Sequence, residues 1–248
     1  MLAIIGGSGL TQLANLDIHR REIVRTPYGE PSAPLTFGCL GGKPVVFLAR
    51  HGHGHTIPPH MVNYRANIWA LKHAGAAERI VSVASVGSIR NDLPPGTLIV
   101  PHQILDYTHG RASTFFDGHD RHVVHVDFTE PYDGILRSSL IDAFHGSAET
   151  VANGAVYAAT PGPRLETAAE INRLERDGAD IVGMTGMPEA ALAREAGVSY
   201  AAICVAVNWA AGRGDSERGI SFDNIEEVLR ISLARVRRVL EFYATETL

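Results

Sequence analysis

Cysteine is scarce: the 248 residues hold two, Cys39 and Cys204, too few for a disulfide framework. Both lie in apolar β-type runs and read as core thiols of a reducing compartment. No segment approaches the ~18 apolar residues of a membrane span, and the opening "MLAIIGGSGL" has no basic flank and is too short for a signal peptide. A cytoplasmic location without a membrane partner is the expectation. Positive charge is not concentrated anywhere. Lys and Arg number 22 against 27 Asp and Glu, a net −5, and the basic residues are scattered, which argues against nucleic acid or an anionic surface as partner. Internal repeats and low-complexity linkers are missing too, so 1–248 reads as a single domain with ample material for a core.

What is present is alternation of strand-like and helix-like segments. "LAII" (2–5) reads as a buried strand before a glycine loop, and "LTFGCL" with "PVVFLAR" (35–40, 44–50) as a hairpin around Gly41 and Gly42. "MVNYRANIWALKHAG" (61–75) is helical in pattern, with Gly75 as its C-cap. Further strands are expected at 79–89, 96–107, 154–160, around "DIVGM" and at 199–207. Helices are expected at 165–180, closed by Gly178, and at 188–197, opened by a Pro. The last 27 residues carry a long amphipathic helix with Ile225, Val228, Leu229, Val236, Val239, Leu240 and Tyr243 on one face. The pattern predicts an α/β domain: a central mixed β-sheet flanked by helices, with ligands gathering where strands end in loops.

Four loop motifs carry chemistry. "IIGGSGL" (4–10) lets backbone N–H groups approach an anion, with Ser8 adding a hydroxyl; a ligand-free tight turn explains it equally well. It lacks the Lys-Ser/Thr of a P-loop, and Gln12 stands where a dinucleotide fingerprint needs glycine. In "ARHGHGHTIPPH" (49–60), Arg50 and His51 leave a strand together, a fork of donors plus an imidazole suited to phosphate. The alternation of His51, His53 and His55 offers a metal site as rival, although Gly52 and Gly54 spoil a regular strand. "TPGPRLETAAE" (160–170) feeds Glu166 into a helix start, where a carboxylate facing the helix dipole needs no further role. "VGMTGMPEAALA" (182–193) is a strand end followed by a helix entry, with Glu189 in its first turn.

Taken in order, "IIGGSGL", "TPYGEPS", "ARHGHGHTIPP", "VNYRANIWALK", "SVGSI", "PGPRLET" and "GMTGMPEA" make the chain resemble the trimeric purine nucleoside phosphorylase family over nearly its full length, within it the methylthioadenosine phosphorylase branch. The resemblance implies cleavage of a purine N-glycosidic bond by orthophosphate as co-substrate, with no metal, no other cofactor and no covalent enzyme intermediate. It implies a homotrimer. It places phosphate against Ser8, Arg50, His51, the Ala84–Ser85 backbone and Thr185, with Met184 beneath the ribose and His55 nearby. It also assigns Leu165 to the substrate pocket, and His125 to a site in the neighbouring subunit.

Within that resemblance the base end is informative. Asn208, at the end of "YAAICVAV", stands where the methylthioadenosine branch carries an aspartate, and Ala210 replaces a second one; the 6-oxopurine enzymes carry asparagine at the first position. An amide can donate to O6 of hypoxanthine and accept from N7–H of the departing base, while Glu166 can accept from N1–H. Against adenine, whose N1 bears a lone pair, Glu166 would face an acceptor. A strand-end Asn satisfying local backbone is the plainer account of Asn208. At the sugar's 5′ end, "GISFDNIEEVL" (219–229) has no histidine for a 5′-hydroxyl, and Phe222 and Ile225 suit a methylthio group. Asn208 and His51 are the expected catalytic groups. The expected reaction is phosphorolysis of S-methyl-5′-thioinosine. Inosine/guanosine or methylthioadenosine phosphorolysis are the alternatives within the class; a metal-dependent hydrolase or a non-catalytic nucleoside binder are those outside it.

Overall fold

The glycine-punctuated alternation becomes one sheet. The computed structural model describes residues 1–10, 13–118 and 122–247. In chain order it contains β1 (Leu2–Gly6), β2 (Asp17–Glu22), β3 (Leu35–Leu40), β4 (Lys43–Ala49), α1 (Tyr64–His73), β5 (Arg79–Ser88), β6 (Leu98–Val100) and β7 (Gln103–Asp106). There follow α2 (Gly134–Gly146), β8 (Ala152–Asn153), β9 (Val156–Ala159), α3 (Ala168–Arg176), β10 (Ile181–Gly183), α4 (Gly186–Glu195), β11 (Ser199–Trp209) and α5 (Phe222–Thr247).

Among the described residues, eleven strands join in a mixed sheet ordered β2-β3-β4-β1-β5-β10-β9-β7, with β11 pairing β5 and β6, and β6 pairing β8. The β3–β4 hairpin is antiparallel, whereas β1 runs parallel to both β4 and β5. The buried strands β1 and β11 read as continuous apolar runs because helices cover them. Helices α2 and α5 pack on each other and on β11, and α1 packs on α4, which also contacts β11. One large apolar cluster fills the space between; a smaller one joins Ile89, Ala158, Ile171, Leu174, Ala179, Val182 and Ala210.

Several boundaries differ from expectation. Helix α1 opens at Tyr64 rather than at 61, because Pro59–Met61 forms a 3₁₀ turn and the Asn63 side chain caps by accepting from Ala66 N–H at 3.1 Å. Gly75 does not supply a left-handed cap; Ala76 does, at φ 48°. Helix α3 opens at Ala168, with Thr167 and Glu170 forming a capping box. Leu165 and Glu166 are therefore loop residues, and Glu166 is not a first-turn carboxylate. Cys204 is buried and Cys39 only half-buried; both are free thiols.

Strand β5 creates the gap in which a site can form. Along one edge it pairs with β11 from Arg79 to Ser88. Along the other it follows β1 only as far as Ser82, and β10 takes over at Gly87. Between these points, residues 83–86 are paired with neither β1 nor β10, at a change of partner and direction. Such switch points are where α/β sheets open clefts.

Candidate active site

A cleft of about 660 Å³ lies at that gap, within the usual range for small-molecule sites. It is lined by Ser8, Arg50, His51, His55, Ala84, Ser85, Leu165, Glu166, Met184, Thr185, Asn208, Ala210, Phe222 and Ile225. Every site residue expected from the sequence is thus in one concavity, except His125. That histidine lies in the exposed stretch 122–127 of the same chain and does not line the cleft.

The loop after β1 and the end of β4 form one end of the cleft. Arg50 N–H donates to Gly6 O at 2.9 Å, so Arg50 and His51 emerge beside the glycine loop. Gly7 is required there, because a Cβ would lie 2.5 Å from Val83 O and 3.0 Å from Arg50 Nη1. The open donor fork expected of Arg50 is not found. Its guanidinium is fully buried and grips Glu189 through Nε (2.6 Å) and Nη2 (2.8 Å), donates from Nη2 to Ser82 Oγ (2.6 Å), and from Nη1 to Val83 O (3.1 Å). A guanidinium has five N–H groups, so one on Nη1 remains for a ligand. The physical reason is Glu189. Buried on α4, this carboxylate also accepts from Ser82 Oγ and Tyr200 Oη, at 2.8 Å each. Burial opposes both charges, but each partner outweighs it, holding the Glu189 carboxyl below and the Arg50 guanidinium above its ordinary range.

His51 is equally constrained. Its Nδ1 lies 2.8 Å from Ile57 O. A carbonyl only accepts, so Nδ1 carries a proton, and Nε2 is an acceptor in the neutral ring and a donor in the imidazolium. Burial, and then the Arg50 charge, push its pKa down to about 4. The His55 ring lies 4.7 Å from that of His51, tilted by 45°, with the His55 backbone at φ 52°, and His53 is exposed. Among the described residues, no group of three or more His, Cys, Asp or Glu is disposed to hold a metal. Thr185 lines the same cleft, with its backbone N–H spent on Tyr157 Oη at 3.2 Å.

Asn208 owes its position to a bulge. The β11–β5 register slips between Ala206 and Asn208, so Asn208 stands opposite Gly87, a device that re-aims a side chain. Its Nδ2 donates to Trp209 O at 2.6 Å. The local backbone contact expected of a strand-end Asn is thus present, but it occupies one N–H and leaves the second, and Oδ1, available. Across the cleft, Thr160 Oγ1 donates to Glu166 Oε1 at 2.7 Å, which fixes the carboxylate in its loop. Gly162 lets that loop approach Met184: its φ is +60° and a Cβ would overlap the Met184 sulfur. Ala210 is buried and contributes methyl surface. The far wall is Ile220, Phe222, Ile225 and Leu229, from α5 and the turn before it.

The glycine loop with Arg50 and His51, the donor and acceptor groups of Asn208 and Glu166, and an apolar wall line this cleft, and comparison with known proteins bears on its chemistry. The sequence model of the Phosphorylase superfamily matches residues 1–244. The chain belongs to the phosphorylase superfamily. It is 52% identical over 238 residues, 96% of each chain, to a probable S-methyl-5′-thioinosine phosphorylase of Pseudomonas syringae pv. tomato. It is 50% identical over 216 residues, 85% of this chain and 80% of the relative, to a probable 6-oxopurine nucleoside phosphorylase of Thermococcus kodakarensis. A methylthioadenosine phosphorylase of Schistosoma mansoni, solved with adenine, superposes with a TM-score of 0.93 at 34% identity, covering 98% of this chain and 90% of that one. The fold of this phosphorylase is accordingly the nucleoside phosphorylase fold.

Sequence reasoning missed Glu189 as the partner of Arg50, along with Ser82, Tyr200 and Thr160. For Glu189 the signal was there: in "GMPEAALA" it is the one charged residue in a stretch that is buried from Gly186 to Ala190, and a buried charge demands a partner. Nothing in the order of residues pairs Thr160 with Glu166 rather than with solvent.

Proposed function

We propose that the chain catalyses phosphorolysis of S-methyl-5′-thioinosine, giving hypoxanthine and 5-methylthioribose 1-phosphate. The observation that carries this reading is the joint presence in one cleft of Asn208 and Glu166 at the base end and an apolar wall at the sugar's 5′ end. Asn208 offers one N–H to O6 and Oδ1 to N7–H; Glu166 accepts from N1–H through the oxygen that Thr160 leaves free. The side chains of Phe222, Ile225 and Leu229 suit a methylthio group better than a hydroxyl. Names of relatives at about half identity support the same substrate class.

Catalysis in this reading is electrostatic positioning. The C1′–N9 bond breaks with its electron pair leaving on the base, and an unprotonated phosphate oxygen bonds C1′ on the opposite face. Asn208 stabilises charge gathering on the leaving purine, and the phosphate anion stabilises the cationic sugar. Met184 packs against the ribose. Orthophosphate is the co-substrate, with no metal or other cofactor, and the working form is a cytoplasmic homotrimer. No helix of the described residues is long and apolar enough to cross a membrane.

A substrate panel tests the reading. Base release should require phosphate, survive chelator, and show a higher kcat/KM for methylthioinosine than for inosine, guanosine or methylthioadenosine. Asn208→Asp with Ala210→Asp should move the methylthioinosine-to-methylthioadenosine ratio toward adenine, although Glu166 still opposes it. A wild type that favours methylthioadenosine would refute the base assignment and leave phosphorolysis standing.

A further inference from the structure

One arginine outside the cleft braces three of its walls. Arg111 lies in the segment between β7 and α2 and does not line the cavity. Its guanidinium reaches four oxygens, none of them charged. Nη1 donates to Met187 O at 2.5 Å and to Tyr64 Oη at 3.3 Å; Nη2 donates to Pro161 O at 2.9 Å and to Thr160 O at 3.4 Å. Nε–H is buried and has no partner among the described residues, so the side chain is placed to serve its two Nη groups. Each contact leads on to the cleft. Tyr64 Oη donates in turn to Pro59 O at 2.9 Å, and Pro59 lines the cavity. Met187 follows Met184 and Thr185 in one turn, where α4 opens on a non-helical residue (φ −119°, ψ 141°). Thr160 donates from Oγ1 to Glu166 Oε1 at 2.7 Å, the one hydrogen bond to that carboxylate among the described residues. The segment that carries Arg111 has its own anchors. Glu195, at the end of α4, accepts from Thr114 Oγ1 and Phe115 N–H at 2.7 Å each, and Arg65 of α1 donates to Asp117 at 2.9 Å.

We infer that Arg111 is a positioning residue: its two Nη groups tie the Thr160–Glu166 loop to the Met184–Met187 turn, and this tie sets how strictly the site demands a proton on N1 of the base. The inference rests on the base recognition proposed above and names the residue that keeps it selective. The physical reason is the reach of Glu166. Its carboxylate sits on a loop in which Gly162, at φ 60°, stands between two prolines, and only Thr160 Oγ1 holds it in place. That hydroxyl has a second acceptor in range, Gly183 O at 3.3 Å, and a hydroxyl has one proton to give. While the Thr160 and Pro161 carbonyls are fixed, the proton stays on Glu166 Oε1, and Oε2 keeps its place against N1. Without the clamp the hydroxyl can turn to Gly183 O, and Glu166 loses that place. A displaced carboxylate neither accepts well from N1–H nor opposes the N1 lone pair of adenine, so affinity for hypoxanthine and rejection of adenine fade together. The planar fork of arginine suits a tie between two chain segments; lysine offers one point charge instead.

Base binding in a mutant cycle tests it. Calorimetric titration of the wild-type protein should show hypoxanthine binding tighter than adenine. Arg111→Met should shrink that affinity ratio by about tenfold or more, chiefly by weakening hypoxanthine, since small misplacements of a positioned group are costly. The ratio of kcat/KM for methylthioinosine to that for methylthioadenosine should fall alike. In a Glu166→Ala background the same substitution should leave both ratios within about twofold, because the group through which it acts is gone. A merely structural role would weaken both bases equally and persist in that background. If Arg111→Met keeps the wild-type ratio, or shifts it as much with Glu166→Ala as without, the inference is overturned. Should Arg111→Met not fold, Arg111→Lys goes through the same cycle with the same expectation, since one ammonium replaces two Nη groups. A wild type that binds neither base and releases none from methylthioinosine, or that prefers adenine, sinks the base assignment and this inference with it. A wild type selective for hypoxanthine beside an equally selective Arg111→Met sinks this inference alone.

Discussion

At the residue scale, the Arg50–Glu189 pair shows how a binding group is paid for by its surroundings. Both side chains are fully buried, and the carboxylate accepts four hydrogen bonds, two from Arg50 and one each from Ser82 and Tyr200. A buried pair adds little net stability against an apolar replacement, but removing one partner leaves a charge stranded, at a cost of about 3–5 kcal/mol. Glu189→Gln should therefore lower unfolding free energy by that order in urea titrations. It should also raise the phosphate KM, since a freed guanidinium no longer holds its remaining N–H in place. Ser82→Ala removes one of the four bonds and should cost less, about 1.5–3 kcal/mol. Equal stability of Glu189→Gln and wild type would mean that the pair does not organise this end of the cleft.

At the element scale, α5 and β11 each bring the site something their own pattern does not announce. The apolar stripe of α5 runs from Ile225 to Tyr243, but only its C-terminal part, Leu233 to Ala244, is sealed in the core; Ile225 and Leu229 are half-buried and line the cleft. Ile225→Ser should then reduce kcat/KM for methylthioinosine about tenfold, the scale of a lost apolar contact in a substrate pocket, while leaving inosine within about threefold. Equal losses on both substrates would place Ile225 in the fold rather than in 5′ recognition. The reading of elements failed where the pattern was weak or the cap ambiguous. Strand β2, "DIHRRE", is an exposed edge strand whose charges conceal its pairing with β3. Helix α2 was legible in principle: Asp133 caps it, and Leu136, Leu140, Ala143 and Phe144 recur at helical spacing. Gly75 looked like a cap because glycine usually takes the left-handed position, but Ala76 holds it here.

At the scale of the whole molecule, the site is a consequence of β5 changing partners, and part of its surface is open to a neighbour. Val123, Val124 and Val126 flank His125 and are 72%, 45% and 37% exposed, an apolar run of the kind that marks interaction surfaces. With the proposed trimer, this segment reaches an adjacent subunit's cleft. Sedimentation should then give a single species of three chains, and Val124→Glu should shift it toward monomers with loss of phosphorolysis. A fully active monomer would return His125 to the status of a surface loop residue.

The order of residues was enough to determine an α/β sheet, because buried strands must be apolar runs and the helices covering them must be one-sided. It also singled out many of the side chains that line the cleft, some through five of the seven short motifs and others, Asn208, Ala210, Phe222 and Ile225, outside them. Tertiary structure alone decided the polarity of those groups. Whether Arg50 offers a fork or a single N–H depends on Glu189, 139 residues away. Which ring nitrogen of His51 is held depends on the carbonyl of Ile57, in the returning arm of its own loop. Which way Asn208 faces depends on a bulge against β5. Hydrogen-bond direction is a property of pairs of atoms brought together in space, and a linear pattern of residue types does not contain it.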